Sequence, residues 1–410
     1  MSSLLAALIA LAGTPLFVVI CALALFHFFV AGIDLTVILI EMYRIAETPT
    51  LTAIPLFALT GFILAESGAP ARLVRFSHAL LGWLPGGLAI MAIVISALFT
   101  ALTGASGMTI VALGGLLLPA LRKDRLPDTF SLGLITTSGS LGLLFPPSLP
   151  LILYAIVAEI PVDQLFIAGI APGLVLVLAL SLYSFYQGKI HRVKPTHTGF
   201  RTLSKAFVEC RWELLLPVVI LGGIYGGAIA LSEAAALSTL YVLVVEILIH
   251  REIRLTQLMR IIRESMVLVG GILIVLAAAM AYTNYLIDAQ IPSQLLGFVE
   301  RHISNRLVFL ILLNLFLLAV GCMIDMFSAL IVVVPLVLPI AQAYDVHPVH
   351  LGIIFLTNLE IGYSTPPVGL NLFISSIRFE RPIFQLYRAS LPFLVILLAC
   401  LALITYFPSL

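Results

Sequence analysis

Charge is scarce in this chain. Of its 410 residues only 10% are Asp, Glu, Lys or Arg, against about 25% in a soluble domain. An ordinary soluble fold is therefore excluded, and 61% hydrophobic residues point to a polytopic membrane protein whose surface faces lipid. The net charge of +1 leaves no excess of either sign to draw in nucleic acid. Cysteine is also sparse. Cys21, Cys210, Cys322 and Cys400 lie far apart, so no disulfide framework and no CxxC metal site is expected. No Lys or Arg precedes Arg44, so the basic start of a signal peptide is missing; the apolar N-terminus reads as a retained membrane segment. No HExxH, Walker A or GxSxG sequence is present. An enzyme, an organic cofactor and ATP hydrolysis by the chain itself are not expected.

What the chain has is long apolar runs, and four are interrupted midway. Thr103–Gly107 (TGASG) breaks one run, and Gly142 with Pro146-Pro147 breaks the next, inside Ser140–Tyr154. Gly321–Met326 (GCMIDM) breaks a third. Gly362–Phe373 (GYSTPPVGLNLF) breaks a fourth. The spacing from Gly104 to Pro146 is close to that from Gly321 to Pro366. Matched pairs of interrupted segments in two halves mark the binding site of a secondary transporter. The predicted plan is a first repeat over 1–186, with a hairpin near 84–121 and a broken helix over 129–158. A basic cytoplasmic loop follows at 187–213. The second repeat is 214–410, with a hairpin near 307–341 and a broken helix over 349–377. Leu4–Ile33 should break at Gly13-Thr14-Pro15. Asp34–Glu47 and Arg251–Arg263 read as interfacial amphipathic stretches, with Ser265–Ile287 a separate span.

Charge sorts the loops. If both hairpins enter and leave on one face, all 21 basic residues except Arg44, Arg301 and Arg306 fall on one side. That side is cytoplasmic by the positive-inside rule, and both termini are then periplasmic. The two halves run in opposite senses, which makes them inverted repeats. Full spans in place of re-entrant hairpins would give the same sorting. The expected fold class is thus an all-α polytopic membrane protein with two inverted repeats, each with a re-entrant helical hairpin and a discontinuous helix.

Unpaired backbone at mid-membrane survives only in protein or against a wet cavity. Its carbonyls suit a hard cation such as Na+, and helix N-termini suit an anionic group. Thr103, Gly104 and Ser106, facing Gly142, Phe145 and Pro146, could make one cation site. Gly321, facing Gly362, Thr365 and Val368, could make its mirror image, with Phe145 and Val368 giving main-chain oxygen only. The plainer alternative is that these are kinks and close-packing points. Asp325 at the second tip could bind cation or substrate, orient the tip by hydrogen bonds, or simply be solvated. Glu360 is either a hydrogen-bonded buried carboxylate or a packing group. Ser232 and Glu233 suit a helix cap, and Asn371 an interhelical hydrogen bond.

Over nearly its whole length the chain resembles the large membrane subunit of the tripartite ATP-independent periplasmic (TRAP) transporters. The likeness is carried by LTAIPLFALTGFILAESG at 51–68, LGWLPGGLAIMAIVISALFTALTGASG at 81–107, LGLLFPPSLPLILYA at 141–155, LFIAGIAPG at 165–173, LPVVILGGIYGG at 216–227, SEAAA at 232–236 and IGYSTPPVGLNLF at 361–373. The resemblance implies an importer in the bacterial inner membrane, driven by Na+ with at least two ions, working by an elevator motion. It implies a soluble periplasmic substrate-binding protein, a small four-helix membrane subunit, expected here as a separate chain, and a small organic acid as cargo. The scaffold would be mainly 1–48 and 214–263, and the hairpins and broken helices would move. Substrate would lie between the ion sites, near Ala105, Ser106, Ser140, Met323, Asp325 and Thr365. Two departures stand out. TGASG replaces a serine-rich SGS-type tip, so Ala105 removes one hydroxyl, and ALSEA at 230–234 replaces TPTEA. Competing readings are a stand-alone Na+/carboxylate symporter of similar fold, which would work without partners, and a channel or membrane enzyme.

Overall fold

A computed structural model describes residues 14, 16–37, 39–40, 43, 49–193, 199–303 and 305–407. Among these the secondary structure is helical throughout. Six helices are long and apolar enough to cross a membrane. Two further pairs pass only when joined across a bend, of 70° between Thr50–Glu66 and Ala69–Leu81 and of 47° between Asp128–Leu144 and Leu149–Val157. The fold is all-α and polytopic, with two inverted repeats.

Each repeat contains a hairpin, a broken helix and a closing span. In the first these are Gly87–Thr103 with Ser106–Lys123, Asp128–Ser138 with Leu149–Val157, and Val162–Ile190. In the second they are Arg306–Met323 with Met326–Ala343, Pro348–Gly362 with Leu370–Phe379, and Ile383–Tyr406. The breaks fall where glycine and proline make a continuous helix costly. Both Pro146-Pro147 and Pro366-Pro367 are cis. The repeats exchange partners reciprocally. The returning arm of each hairpin packs on the second half of the other repeat's broken helix. Each closing span packs on the first half of the other's. The core is therefore shared between repeats, and neither closes its own site alone.

The remaining helices pack on one another and against both hairpins as an outer scaffold. Leu16–Ala31 packs on the long helix Leu255–Asp288, and Ala53–Glu66 packs on Leu231–Leu243. Thr60 and Thr239 join the last pair through their hydroxyls at 3.0 Å. Arg72, buried on Ala69–Leu81, fastens three other segments. Its Nε donates to Glu213 on Phe200–Tyr225. Its Nη2 donates to Glu246 at 2.9 Å, and its Nη1 to Glu252 at 2.5 Å.

Two expectations need correction. The stretch 187–213, read as a loop, is helical over most of its described length, because Val162–Ile190 runs on and Phe200–Tyr225 begins early. Ala206 and Cys210 are both buried, one turn apart, so this basic segment has an apolar face to pack. Arg251–Arg263 and Ser265–Ile287 are not an interfacial helix and a separate span. From Leu255 onward they form one helix, Leu255–Asp288, since no breaker separates them and Arg260 pairs with Glu264 across the junction at 3.8 Å. The expected break at Gly13-Thr14-Pro15, Thr14 apart, and the placing of Arg44 and most of 1–13 and 41–48 lie outside the described residues.

Candidate functional site

The first tip is made by two helix ends. Gly104 closes Gly87–Thr103 in the left-handed region, with φ of 66°, where a Cβ is strained. Its N–H donates to Thr100 O at 2.8 Å. The chain then turns through Ala105, and Ser106–Lys123 begins without a side-chain cap. The N–H groups of Ser106, Gly107 and Met108 find no acceptor among the described residues. They form the uncapped positive end of a helix. Behind them Thr100 donates its hydroxyl to Gly139 O at 2.8 Å. Thr109 lies 2.6 Å from the same hydroxyl oxygen and must donate to it, since that proton is used. Thr103 is buried, and its Oγ1 has no hydrogen-bond partner among the described residues.

This tip is roofed. A Cβ on Gly61 of the scaffold would lie 2.4 Å from Thr103 Cα, so only glycine allows the two backbones to touch. From the other side, a Cβ on Gly142 would lie 2.1 Å from Ala97 O and 2.4 Å from Ala101 N. The first broken helix thus crosses the hairpin arm backbone to backbone. Gly104 is covered by Leu149, where the broken helix resumes.

The second tip has the same outline and different chemistry. Asp325 caps Met326–Ala343, its Oδ1 accepting the Ser328 N–H at 3.0 Å. The Met326 N–H donates to the Tyr363 hydroxyl at 2.5 Å. Cys322 O accepts the Gly369 N–H at 2.9 Å, which ties the tip to the second broken helix. Gly321 and Gly362 face each other, a Cβ on Gly362 falling 2.6 Å from Gly321 C. The end of the tip is open: Met323 is 68% exposed, and Ile324 and Asp325 are exposed too.

A cavity of about 390 Å³ lies between the tips. Gly104–Met108 line it from the first, Asp325–Phe327 from the second, and Tyr363 from the second broken helix. Phe62 and Leu268 close it from the scaffold. Of the sequence-predicted residues, Gly104, Ala105, Ser106 and Asp325 line this space. Thr103 stands just behind it. Gly142 and Pro146 are buried, and the Phe145 ring is turned onto Gly173 of the first closing span. Ser140 Oγ lies 3.4 Å from both Thr137 O and Glu360 O, which share its one proton. Gly321 and Gly362 form the glycine contact. Thr365 donates back to Ile361 O at 2.8 Å, and Val368 is exposed.

Several neighbours behave as residue type suggests. Glu233 accepts the Ala230 N–H at 2.8 Å, which is a helix cap. Asn371 reaches across to Thr136 O at 3.3 Å. Glu360 is buried, and neither carboxylate oxygen has a hydrogen-bond partner among the described residues. Sequence reasoning missed Gly61 and Tyr363. Gly61 lies in an unbroken helix that carries no local sign of what it touches. Tyr363 stands next to a predicted site glycine, and a hydroxyl beside a helix break was the available signal.

The model of the family described as tripartite ATP-independent periplasmic transporter, DctM component, matches residues 3–410. The C4-dicarboxylate TRAP transporter large permease protein DctM of Pseudomonas aeruginosa is 36% identical over 371 residues, 90% of this chain and 87% of that protein. The isethionate TRAP transporter permease protein DctMQ of Oleidesulfovibrio alaskensis is 33% identical over 359 residues, 87% of this chain and 56% of that protein. Among solved structures, the YdaH transporter of Alcanivorax borkumensis superposes with a TM-score of 0.60 over 90% of this chain and 88% of that one. The identity there is 13%, so the likeness is one of fold.

Proposed function

The chain belongs to the tripartite ATP-independent periplasmic transporter family as its DctM component, the large permease, and from this we propose that it carries a small organic acid across the bacterial inner membrane in company with Na+. It receives the acid from a soluble periplasmic binding protein and works with a small four-helix membrane subunit. Relatives of similar identity bear the names of different cargoes, a C4-dicarboxylate and isethionate. An anionic organic acid is the class common to both.

One observation carries the reading: the uncapped helix end at Ser106–Met108 and the Asp325 carboxylate, from opposite repeats, line one cavity. Free N–H groups at a helix N-terminus receive an anion. A carboxylate in the same space repels that anion unless a cation stands with it. Co-binding of Na+ at the tips answers both demands. Carbonyl oxygens freed at the breaks, with the unpartnered Thr103 hydroxyl, are hard donors suited to it. Cation sites at Thr103, Gly104, Ser106, Gly142, Phe145 and Pro146, and at Gly321, Gly362, Thr365 and Val368, are part of this proposal. So is substrate contact by Ala105, Ser106, Ser140, Met323, Asp325 and Thr365. In the elevator step the hairpins and broken helices slide as one body past Ala53–Glu66, over the glycine contact at Gly61.

The test is uptake into liposomes holding this chain with its small subunit, with the binding protein outside. An inward Na+ gradient should drive accumulation, and replacing Na+ by choline should reduce it to background. Undiminished uptake in choline under a maintained proton gradient would reject Na+ coupling.

A further inference from the structure

The second broken helix carries an acid that no protein group answers. Glu360 is 1% exposed, and neither carboxylate oxygen meets a donor or a cation among the described residues. A carboxylate sealed from water without a partner is costly. Its side of the helix is not the one turned to the second hairpin. Asn358 Nδ2 donates to Asn314 Oδ1 on that hairpin at 2.7 Å, and Gly362, one turn later, meets Gly321. Glu360 is two residues from each, about 200° round the helix, so it faces away from the second tip. The backbone there touches the first repeat, with Ser140 Oγ 3.4 Å from Glu360 O. Ser140 and Glu360 stand two residues before Gly142 and Gly362, the corresponding glycines of the two breaks. Corresponding residues that touch lie close to the axis relating the repeats. The acid therefore occurs once per molecule, where the two broken helices cross.

Two further buried oxygens are left over at this crossing. Asn371 is tied to the break by its N–H, which donates to Tyr363 O at 3.0 Å. It is tied to the first repeat by Nδ2, which donates to Thr136 O at 3.3 Å. Thr136 is one turn before Ser140, so Asn371 and Glu360 meet the same stretch of the first broken helix. Ser364 follows Glu360 by one turn, with Tyr363 between them still in the helical region, which keeps the two on one face. Asn371 Oδ1 and Ser364 Oγ are buried and, like the carboxylate, have no partner among the described residues.

We propose that Glu360, Ser364 and Asn371 form a Na+ site of their own, apart from the hairpin tips. Carboxylate, amide and hydroxyl oxygens are hard donors suited to a hard cation. One carboxylate balances one positive charge, so a monovalent ion leaves the crossing neutral where a divalent ion would not. The ion joins the two broken helices, and it neutralises an acid that the moving body would otherwise carry through the membrane as a bare charge. The site does not rest on the tip cation sites and adds one ion to whatever they hold.

The test counts ions on the purified full chain in detergent. Radioactive Na+ is titrated at constant ionic strength, with choline as the replacement, and bound ions per chain are measured. Glu360→Gln keeps the shape and removes the charge, and it should bind one ion per chain fewer than the wild type, whatever the wild-type number is. Ser364→Ala keeps the charge and removes one neutral donor, and it should weaken one class of Na+ site about threefold or more. The count separates this site from those at the tips. If the tips hold no ion and this site exists, the wild type binds one Na+ and Glu360→Gln binds none. If only the tips bind, the two proteins hold equal numbers. An equal count means that a proton, not Na+, neutralises the carboxylate, and it overturns the proposal. Should Glu360→Gln fail to fold, wild-type Na+ affinity in Ser364→Ala overturns it instead.

Discussion

The two hairpin tips share a plan and differ in what they present. The first is roofed by the scaffold through Gly61 and leaves helix N–H groups free. The second is open at its end and satisfies its own helix start through Asp325 and Tyr363. One tip offers donors, the other a carboxylate. A duplicated backbone therefore does not give duplicated chemistry. Repetition sets where the helices break, and a few side chains decide what the break attracts.

The largest effect should come from filling the shared feature, the glycine of each break. Gly142→Val would drive its side chain into the backbone at Ala97 and Ala101, and Gly362→Val would do the same at Gly321. Overpacking against backbone that cannot retreat should cost about 3 kcal/mol in each case, read as lost monodisperse protein and lost uptake. If one variant is neutral, the breaks are not equivalent in packing.

Roofing sets the tips apart, and substitution can show it. Gly61→Ala places a methyl against Thr103 and should destabilise by about 1–3 kcal/mol. Met323→Ala, at the open tip, should change stability by no more than about 0.5 kcal/mol. Thermal unfolding in detergent compares the pair; equal shifts would erase the distinction.

Asp325 combines a cap with a charge, and two variants separate them. Asp325→Ala should lose about 1 kcal/mol with the cap and also lose transport. Asp325→Asn keeps an acceptor for the Ser328 N–H and should hold stability while uptake still falls. Wild-type uptake by Asp325→Asn would show that only the cap matters.

Mild acid gives the smallest effect, and it falls on the scaffold. Burial alone would raise the Glu252 carboxyl, but hydrogen bonds from Arg72 and the Gly68 N–H outweigh it and hold the group below its ordinary 4.5. Its stabilising contribution is complete above that ordinary value and is lost as pH falls through the lower folded one. Glu252→Gln should therefore lower thermal stability at pH 7, where that contribution is complete, and flatten the fall below about pH 4.5. An unchanged acid limb would assign that fall to other carboxylates.

The hairpins and breaks were legible because glycine and proline are expensive inside a helix. TGASG and GCMIDM lie across the turns found at Thr103–Ser106 and Met323–Met326. For Asp325 the sequence permits a ligand, a tip organiser or a solvated carboxylate; the Ser328 N–H it accepts gives it a capping role. What could not be read depends on partners remote in sequence. Nothing near Gly61 announces Thr103, and Tyr363 gives no sign that it will reach Met326. The extended helices Phe200–Tyr225 and Leu255–Asp288 hid behind their basic residues, whose long stems can lie along a helix while the charge stays in water.

Arg72 has a consequence for how the protein is made. Its carboxylate partners follow it by 141, 174 and 180 positions. During synthesis the cation must wait, unneutralised, until translation has passed the middle of the chain. A nascent chain halted before Glu213 should be a ready target for membrane proteases, since a lone charge in apolar surroundings resists burial. Release after Glu252 should bring protection. Pulse-chase degradation of stalled chains would time that change, and equal lifetimes on both sides would show that the cation waits safely in water.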